Sequence, residues 1–261
     1  YDLPSRDIVN WAVQLNVAML EKAVQEINRE GPFHIVHAHD WLVAYAGRAL
    51  KHSYQVPLIA TIHATEHGRN NGLHNDVQRD ISNIEWWLTY EAWKVICCSR
   101  YMVDELSRVF NLPRDKMVHI PNGVHAERFR DRQVPADFKN RFALPHEKIV
   151  YYIGRLVREK GVQVLIDAAF KVLAYEPNAK FVIAGTGPYE NYLRNKARDI
   201  GLGDKMLFTG YLSNDDRDML YLIASVAVFP SLYEPFGIVA LEAMAAGTPV
   251  VVSDSGGLAE I

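Results

Sequence analysis

Short apolar, β-branched runs alternate with longer helix-like segments along the whole chain, and this rhythm limits the fold more than any other feature. The runs fall at residues 34–37, 58–63, 94–98, 117–120, 149–153, 180–184, 206–209, 226–229 and 249–253, and each reads as a strand. Between them lie helical stretches such as 10–29, 85–93, 161–175, 188–200 and 238–246. Strands that are apolar on both faces and separated by helices belong to parallel sheets covered on both sides. The fold class is therefore α/β. The runs form two blocks: one ends at Ile120-Pro-Asn-Gly-Val124, and the other begins at Lys148-Ile-Val-Tyr-Tyr-Ile-Gly154. The polar stretch 125–147, with Pro135, Pro145 and no strand pattern, reads as an interdomain linker. That divides the chain into domains at 1–124 and 148–261. Open α/β sheets bind ligands beyond the carboxyl ends of their strands, and two such sheets facing each other would make a cleft there.

Bulk properties weigh against several functions, though they leave room for a local basic patch. A formal net charge of -3 gives no overall attraction to nucleic acid or anionic lipid. No run approaches the ~18 apolar residues of a membrane span. The two cysteines, Cys97 and Cys98, are neighbours on one strand and point to opposite faces, which disfavours a disulfide and leaves no second pair for a metal. A reducing cytoplasm is the default location. The opening residues, Tyr1-Asp-Leu-Pro-Ser-Arg-Asp7, have neither the basic start nor the apolar centre of a signal peptide.

Chemistry is best sought just after the strands. Glu234-Pro-Phe-Gly-Ile-Val-Ala-Leu-Glu242 leads from a strand through a loop into a helix, whose amino end offers unpaired N–H groups and a positive dipole end to a diphosphate. The two carboxylates straddle the helix start, so one can address a sugar and the other a ribose hydroxyl. The bland alternative makes Glu234 a dipole partner and Glu242 a solvated face residue. Arg155 follows the strand at 149–153, and Lys160 stands before the next helix. Together they suit a two-pronged clamp on a diphosphate leaving group, where charge grows as the sugar bond breaks. Two solvated surface charges is the plain reading.

With Gly154-Arg155, Glu159-Lys160-Gly161, Ala184-Gly185-Thr-Gly187, the Glu-x7-Glu of Glu234 and Glu242, and Pro249-Val-Val-Val-Ser-Asp, the chain resembles the GT-B retaining glycosyltransferases of family 4, the glycogen-synthase and sucrose-synthase type. His37-Ala-His-Asp-Trp41, Thr61-Ile-His-Ala-Thr-Glu-His-Gly-Arg69 and Ile120-Pro-Asn-Gly-Val124 are similar to the same family, especially its glycogen-synthase-like members. The resemblance implies a GT-B fold of two Rossmann-like domains facing across a cleft, with the sugar nucleotide on the second. It implies that Arg155 and Lys160 hold the donor diphosphate, Glu242 the ribose hydroxyls and Glu234 the transferred sugar. Backbone at Phe236, Gly237 and Ile238 would meet sugar or phosphate, with Gly185 also on the donor side and backbone at Tyr211 and Leu212 meeting the base. His63 would reach the donor sugar near the reacting carbon. Beside that, His39 and Asp40, just after a strand, are candidates for the acceptor side, and Glu66 and Arg69 either meet an acceptor or clamp the loop after His63. The reaction would retain anomeric configuration by front-face attack, with no cofactor and no metal. UDP- or ADP-glucose is the leading donor and an α-1,4-glucan the leading acceptor.

Other readings compete. His63-Ala-Thr-Glu-His67 spells H-x-x-E-H, but a zinc peptidase needs both histidines on one helix, and His63 ends a strand. His37 and His39, two apart, more readily shape a cleft floor than hold a metal. Trp86, Trp87, Tyr90 and Trp93 form an aromatic stripe at helical spacing, read first as core or interdomain packing and second as carbohydrate stacking. A lipid-linked or small-molecule acceptor remains an alternative, as does a non-catalytic nucleotide-sugar-binding fragment. Family members begin with a further strand and glycine-rich loop and continue beyond the last residues here. The chain is accordingly expected to be truncated at both ends and weakly active alone.

Overall fold

A computed structural model describes residues 8–261. The opening loop expected at Tyr1-Asp7 lies outside the described residues. The chain divides into two compact units, Tyr1–Pro121 and Asn122–Ile261.

In the first unit the elements run α1 (Ile8–Glu30), β1 (Val36–His39), α2 (Ala44–Tyr54), β2 (Leu58–Ile62), α3 (Glu66–Asn70), α4 (Asp76–Glu91), β3 (Lys94–Cys97), α5 (Arg100–Phe110) and β4 (Met117–His119). The four strands are all parallel, in the order β1-β2-β3-β4. Polar side chains start the helices: Thr65, Asn75 and Ser99 each accept a backbone N–H three residues on, which satisfies one of the donors every helix leaves open at its amino end. The first strand sits two residues later than its sequence pattern suggests, so His39 ends the strand instead of following it. Its partner decides the register: Val36 lies opposite Leu58, which is fully buried. Helix α4 begins nine residues before the expected 85–93 stretch, behind its Asn75 cap, and Trp93 lies beyond its end. The aromatic stripe does not enter the core. Ile81, Ile84 and Leu88 fill the core-facing side of α4, while Trp86, Tyr90 and Trp93 are 47%, 66% and 66% exposed. Cys97 and Cys98 form no disulfide.

The second unit contains β5 (Lys148–Ile153), α6 (Val162–Tyr175), β6 (Ala179–Ala184), α7 (Glu190–Asp199), β7 (Met206–Gly210), α8 (Asn214–Ile223), β8 (Val226–Phe229), α9 (Ile238–Ala245) and β9 (Val250–Val252). Its sheet is parallel, in the order β7-β6-β5-β8-β9. Ile149, Tyr151 and Tyr152 of β5 are all but sealed from solvent, as expected of a central strand covered on both faces. The stretch 125–147, expected as a linker, belongs to this unit. Phe129, Phe138 and Phe142 are buried in the same core as β5, so the polar composition around them hid three anchoring rings.

The strand order carries a functional consequence. Chain order runs outward from β5 to β7 on one side and restarts at β8 on the other, so the switch point lies between β5 and β8. Loops leaving the carboxyl ends of two such strands diverge and leave a crevice, where doubly wound sheets bind ligands. The first sheet, with strands in sequence order, has no such reversal among its described residues.

Among the described residues, no helix is long and apolar enough to cross a membrane.

Candidate active site

At the β5/β8 switch point Arg155, Lys160, Glu234 and Gly237 stand on the loops that leave the two neighbouring strands. The loop after β5 carries Arg155 and a short 3-10 turn, Arg158–Lys160. Gly161 follows in a left-handed conformation (φ 71°), and a Cβ there would stand 1.8 Å from the Pro230 carbonyl oxygen. Only glycine lets the two loops come this close. The Glu159 carbonyl accepts N–H groups from Leu232 (2.8 Å) and Tyr233 (3.2 Å), tying the β8–α9 loop in place. Lys160 Nζ then donates to Glu234 Oε2 at 2.7 Å, and the Ser231 hydroxyl reaches the same oxygen at 3.3 Å. Glu234 is buried, so its charge is balanced inside the fold by Lys160. Below the loop, a Cβ on Gly256 would meet the Glu234 carbonyl oxygen at 2.2 Å, and Gly257 N–H donates to that oxygen at 2.7 Å.

Arg155 is exposed, and its guanidinium has no ion-pair partner among the described residues. Gly237 caps α9 with φ 101°, which turns the chain so that the amino end of the helix follows Phe236 directly. Ile238, the first residue of α9, is exposed. The switch point thus presents an unpaired cation, a lysine and a helix amino end, an arrangement suited to a diphosphate.

Glu242, one turn into α9, is not a solvated face residue. It is buried, with Arg128 Nη2 2.7 Å from Oε1 and the Tyr221 hydroxyl donating to Oε2 at 3.1 Å. Gly185 (φ 119°) lies against Gly154, whose carbonyl oxygen would be 2.0 Å from a Cβ there. The position therefore sets how closely the β6 and β5 loops approach. Tyr211 and Leu212 follow β7, and Tyr211 is among the most exposed aromatic side chains.

A second cluster stands at the carboxyl ends of β1 and β2 in the first unit. His39 Nδ1 and His63 Nε2 share a hydrogen bond at 3.0 Å, and His37 Nε2 lies 2.7 Å from the Thr61 hydroxyl. Burial and the neighbouring His39 and His63 lower the pKa of His37, so it stays neutral more readily than an ordinary histidine. Asp40 adopts φ 59°, ψ 178°, a strained conformation for a residue with a side chain, and its carboxylate accepts the His63 N–H at 2.8 Å. His63 lies just beyond β2 and His67 within α3, so the two do not share a helical face as a zinc peptidase requires. Among the described residues, no group of three or more His, Cys, Asp or Glu side chains is arranged to hold a metal ion.

Sequence reasoning missed Glu85, which organises the loop after His63. This α4 residue is 1% exposed, and both its oxygens accept the Glu66 N–H, at 2.9 and 3.0 Å. Burial pushes its carboxyl up to about 8, against the pull of the Glu66 N–H and the Arg69 charge. Glu66, Arg69 and Asp40 are all near enough to act on its titration. The only signal in the sequence was an acidic residue at a core-facing position of a helix.

Residues 135–261 match the family Glycosyl transferases group 1, and residues 5–128 match Glycosyltransferase Family 4. The chain is 42% identical over 234 residues to an uncharacterized glycosyltransferase of Methanocaldococcus jannaschii, covering 88% of this chain and 60% of that one. It is 37% identical over 264 residues to the glycogen synthase of Mycobacterium tuberculosis, covering 97% of this chain and 61% of that one. The chain belongs to the GT-B, family 4-like glycosyltransferases.

Solved structures share the fold. The sucrose-phosphate synthase of Thermosynechococcus elongatus superposes with a TM-score of 0.80 at 26% identity, over 98% of this chain and 63% of that one. Anabaena HepE, solved with UDP and glucose, gives 0.78 at 20% identity, over 99% and 67%. The chain spans about three fifths of the length of the curated glycosyltransferases it matches.

The Glu85 carboxyl gives the first unit a testable pH dependence. An unfolded glutamate titrates near 4.5, so between 4.5 and about 8 the folded unit keeps a proton that the unfolded chain has released. Stability contributed here falls as pH rises through that window and levels off above it. Glu85→Gln, an uncharged mimic of the protonated acid, should flatten this part of the profile and raise the melting temperature most above pH 8. Thermal melts across the window check this, and parallel profiles for the two proteins would refute it.

Proposed function

We propose that the chain is the major part of a retaining hexosyltransferase that moves glucose from UDP- or ADP-glucose to a carbohydrate acceptor, with an α-1,4-glucan foremost. The carrying observation is the Lys160–Glu234 pair at the β5/β8 switch point, with the exposed Arg155 on the loop after β5 and the amino end of α9 after β8. In this reading Arg155 and Lys160 hold the donor diphosphate, Glu234 the transferred sugar and Glu242 the ribose. Negative charge gathers on the diphosphate as the glycosidic bond breaks, and fixed cations stabilise it most at the transition state. The departing phosphate takes the proton of the attacking acceptor hydroxyl on the same face, so configuration is retained. The cations and the helix end supply the positive charge that a divalent ion would otherwise bring. EDTA should therefore leave the rate unchanged, and restoration of a lost rate by magnesium or manganese would contradict that part.

The 37% identity to a glycogen synthase supports the glucan acceptor. A 30% likeness to the mannosylfructose-phosphate synthase of Agrobacterium fabrum favours a small phosphorylated acceptor as the second reading. The deciding assay offers labelled UDP- and ADP-glucose with either a maltooligosaccharide or a sugar phosphate, and reads the product's anomeric signal by NMR. Label in an α-linked oligosaccharide is the expected result. Label only in the sugar phosphate would move the acceptor to the second reading, and an inverted anomeric centre would overturn the mechanism. His63→Ala in the same assay should lower transfer without abolishing nucleotide binding.

A further inference from the structure

Arg128 lies in the short turn Ala126–Phe129, in the stretch whose composition suggested a linker. Its guanidinium sits on the Phe129 ring, 4.6 Å from the centroid, and Phe129 is itself buried edge-on against Tyr221. From there Nη2 comes within 2.7 Å of Glu242 Oε1, and Nε lies 3.6 Å from the buried Asp218 carboxylate. Nε and Nη2 are closed to solvent yet make no well-aligned hydrogen bond, so charge and packing hold the guanidinium. On the other side of Glu242 the Tyr221 hydroxyl, on α8, donates to Oε2.

The Glu242 carboxylate is therefore gripped from two elements, one oxygen each. A carboxylate oxygen can accept two hydrogen bonds, so each keeps one acceptor direction open. A carboxylate held in one orientation with one open direction on each oxygen matches two hydroxyls on adjacent carbons. A carboxylate free to rotate would pay for that orientation on binding.

We propose that Arg128, with Tyr221 opposite it, is a positioning residue that fixes the Glu242 carboxylate for the paired hydroxyls of the donor's ribose, and so makes the site prefer ribonucleotides to 2′-deoxyribonucleotides. The inference rests on the donor-site reading above. It adds to that reading a residue outside the Glu-x7-Glu motif and a selectivity that follows from it.

The test titrates the chain calorimetrically with UDP and 2′-deoxy-UDP, or the ADP pair if adenine is the base bound. The unsubstituted chain should favour the ribonucleotide. Arg128→Gln should shrink that preference by roughly tenfold, the worth of one well-placed charged contact, through weaker ribonucleotide binding alone. Arg128→Lys should restore part of it, and Tyr221→Phe should shrink it too, which keeps the test decisive if Arg128→Gln does not fold. A purely structural role predicts the opposite pattern: both nucleotides weaken together and the ratio holds. An unchanged ratio in a folded variant overturns the proposal while leaving the donor site intact. If the unsubstituted chain binds no nucleoside diphosphate, the donor reading fails and this inference falls with it.

Discussion

Lys160→Ala is expected to lower sugar transfer by roughly 100-fold or more, the usual cost of removing one preorganised group from a developing charge. Two effects combine in that variant and can be separated. Glu234 is buried with Lys160 as its charged partner and Ser231 as a weaker donor at 3.3 Å. Removing the lysine strands a carboxylate in the fold, at a cost of about 3 kcal/mol of stability. Converting both partners, Lys160→Met with Glu234→Gln, leaves no buried charge and should recover most of that stability. It should recover none of the activity, because the cation for the diphosphate and the carboxylate for the sugar are both gone. Thermal melting and initial rates on the two variants give the answer. Recovery of rate together with stability would mean that the pair is structural.

The second large effect is on folding. Gly161→Ala would place a methyl group 1.8 Å from the Pro230 carbonyl oxygen, at φ 71°. The obstacle is backbone on the loop that carries Glu234, so it cannot swing aside as a flexible side chain could. A loss of about 3 kcal/mol or more is expected, enough to leave much of the chain unfolded. Gly201→Ala serves as the control. Its φ is 77°, and nothing lies within 4 Å of the added atom, so only the conformational cost of about 1 kcal/mol applies. Chemical denaturation should rank the two variants in that order, and equal losses would show that the loop contact is not what Gly161 protects.

The strands were legible because parallel sheets bury both faces, and that burial writes continuous apolar runs such as Ile149–Ile153 into the sequence. The boundary of β1 was less clear, since the flanking Phe33 and Ile35 are apolar yet exposed. The core reading of the aromatic stripe failed for a related reason: helical spacing shows that side chains share a face but not which face is inside. The donor loops were readable as motifs, since each residue serves a requirement tied to its neighbours in sequence. Gly161 next to Lys160 and Gly237 before α9 are of that kind. What escaped depends on contacts between distant segments. Arg128 reaches Glu242 across 114 positions, and Glu85 reaches Glu66 across 19, with nothing in either local sequence to announce the partner. The pairing of Lys160 with Glu234, 74 positions apart, was likewise visible only as two separate motifs.

The central claim is that the β5/β8 switch point is a diphosphate site. Calorimetric titration of the chain with UDP, ADP and GDP, beside an Arg155→Ala, Lys160→Ala double variant, tests it most directly. Binding of one nucleotide by the unsubstituted chain, lost in a double variant that circular dichroism shows to be folded, is the expected result and identifies the donor base. Equal binding by the two proteins would contradict the claim and place the nucleotide elsewhere.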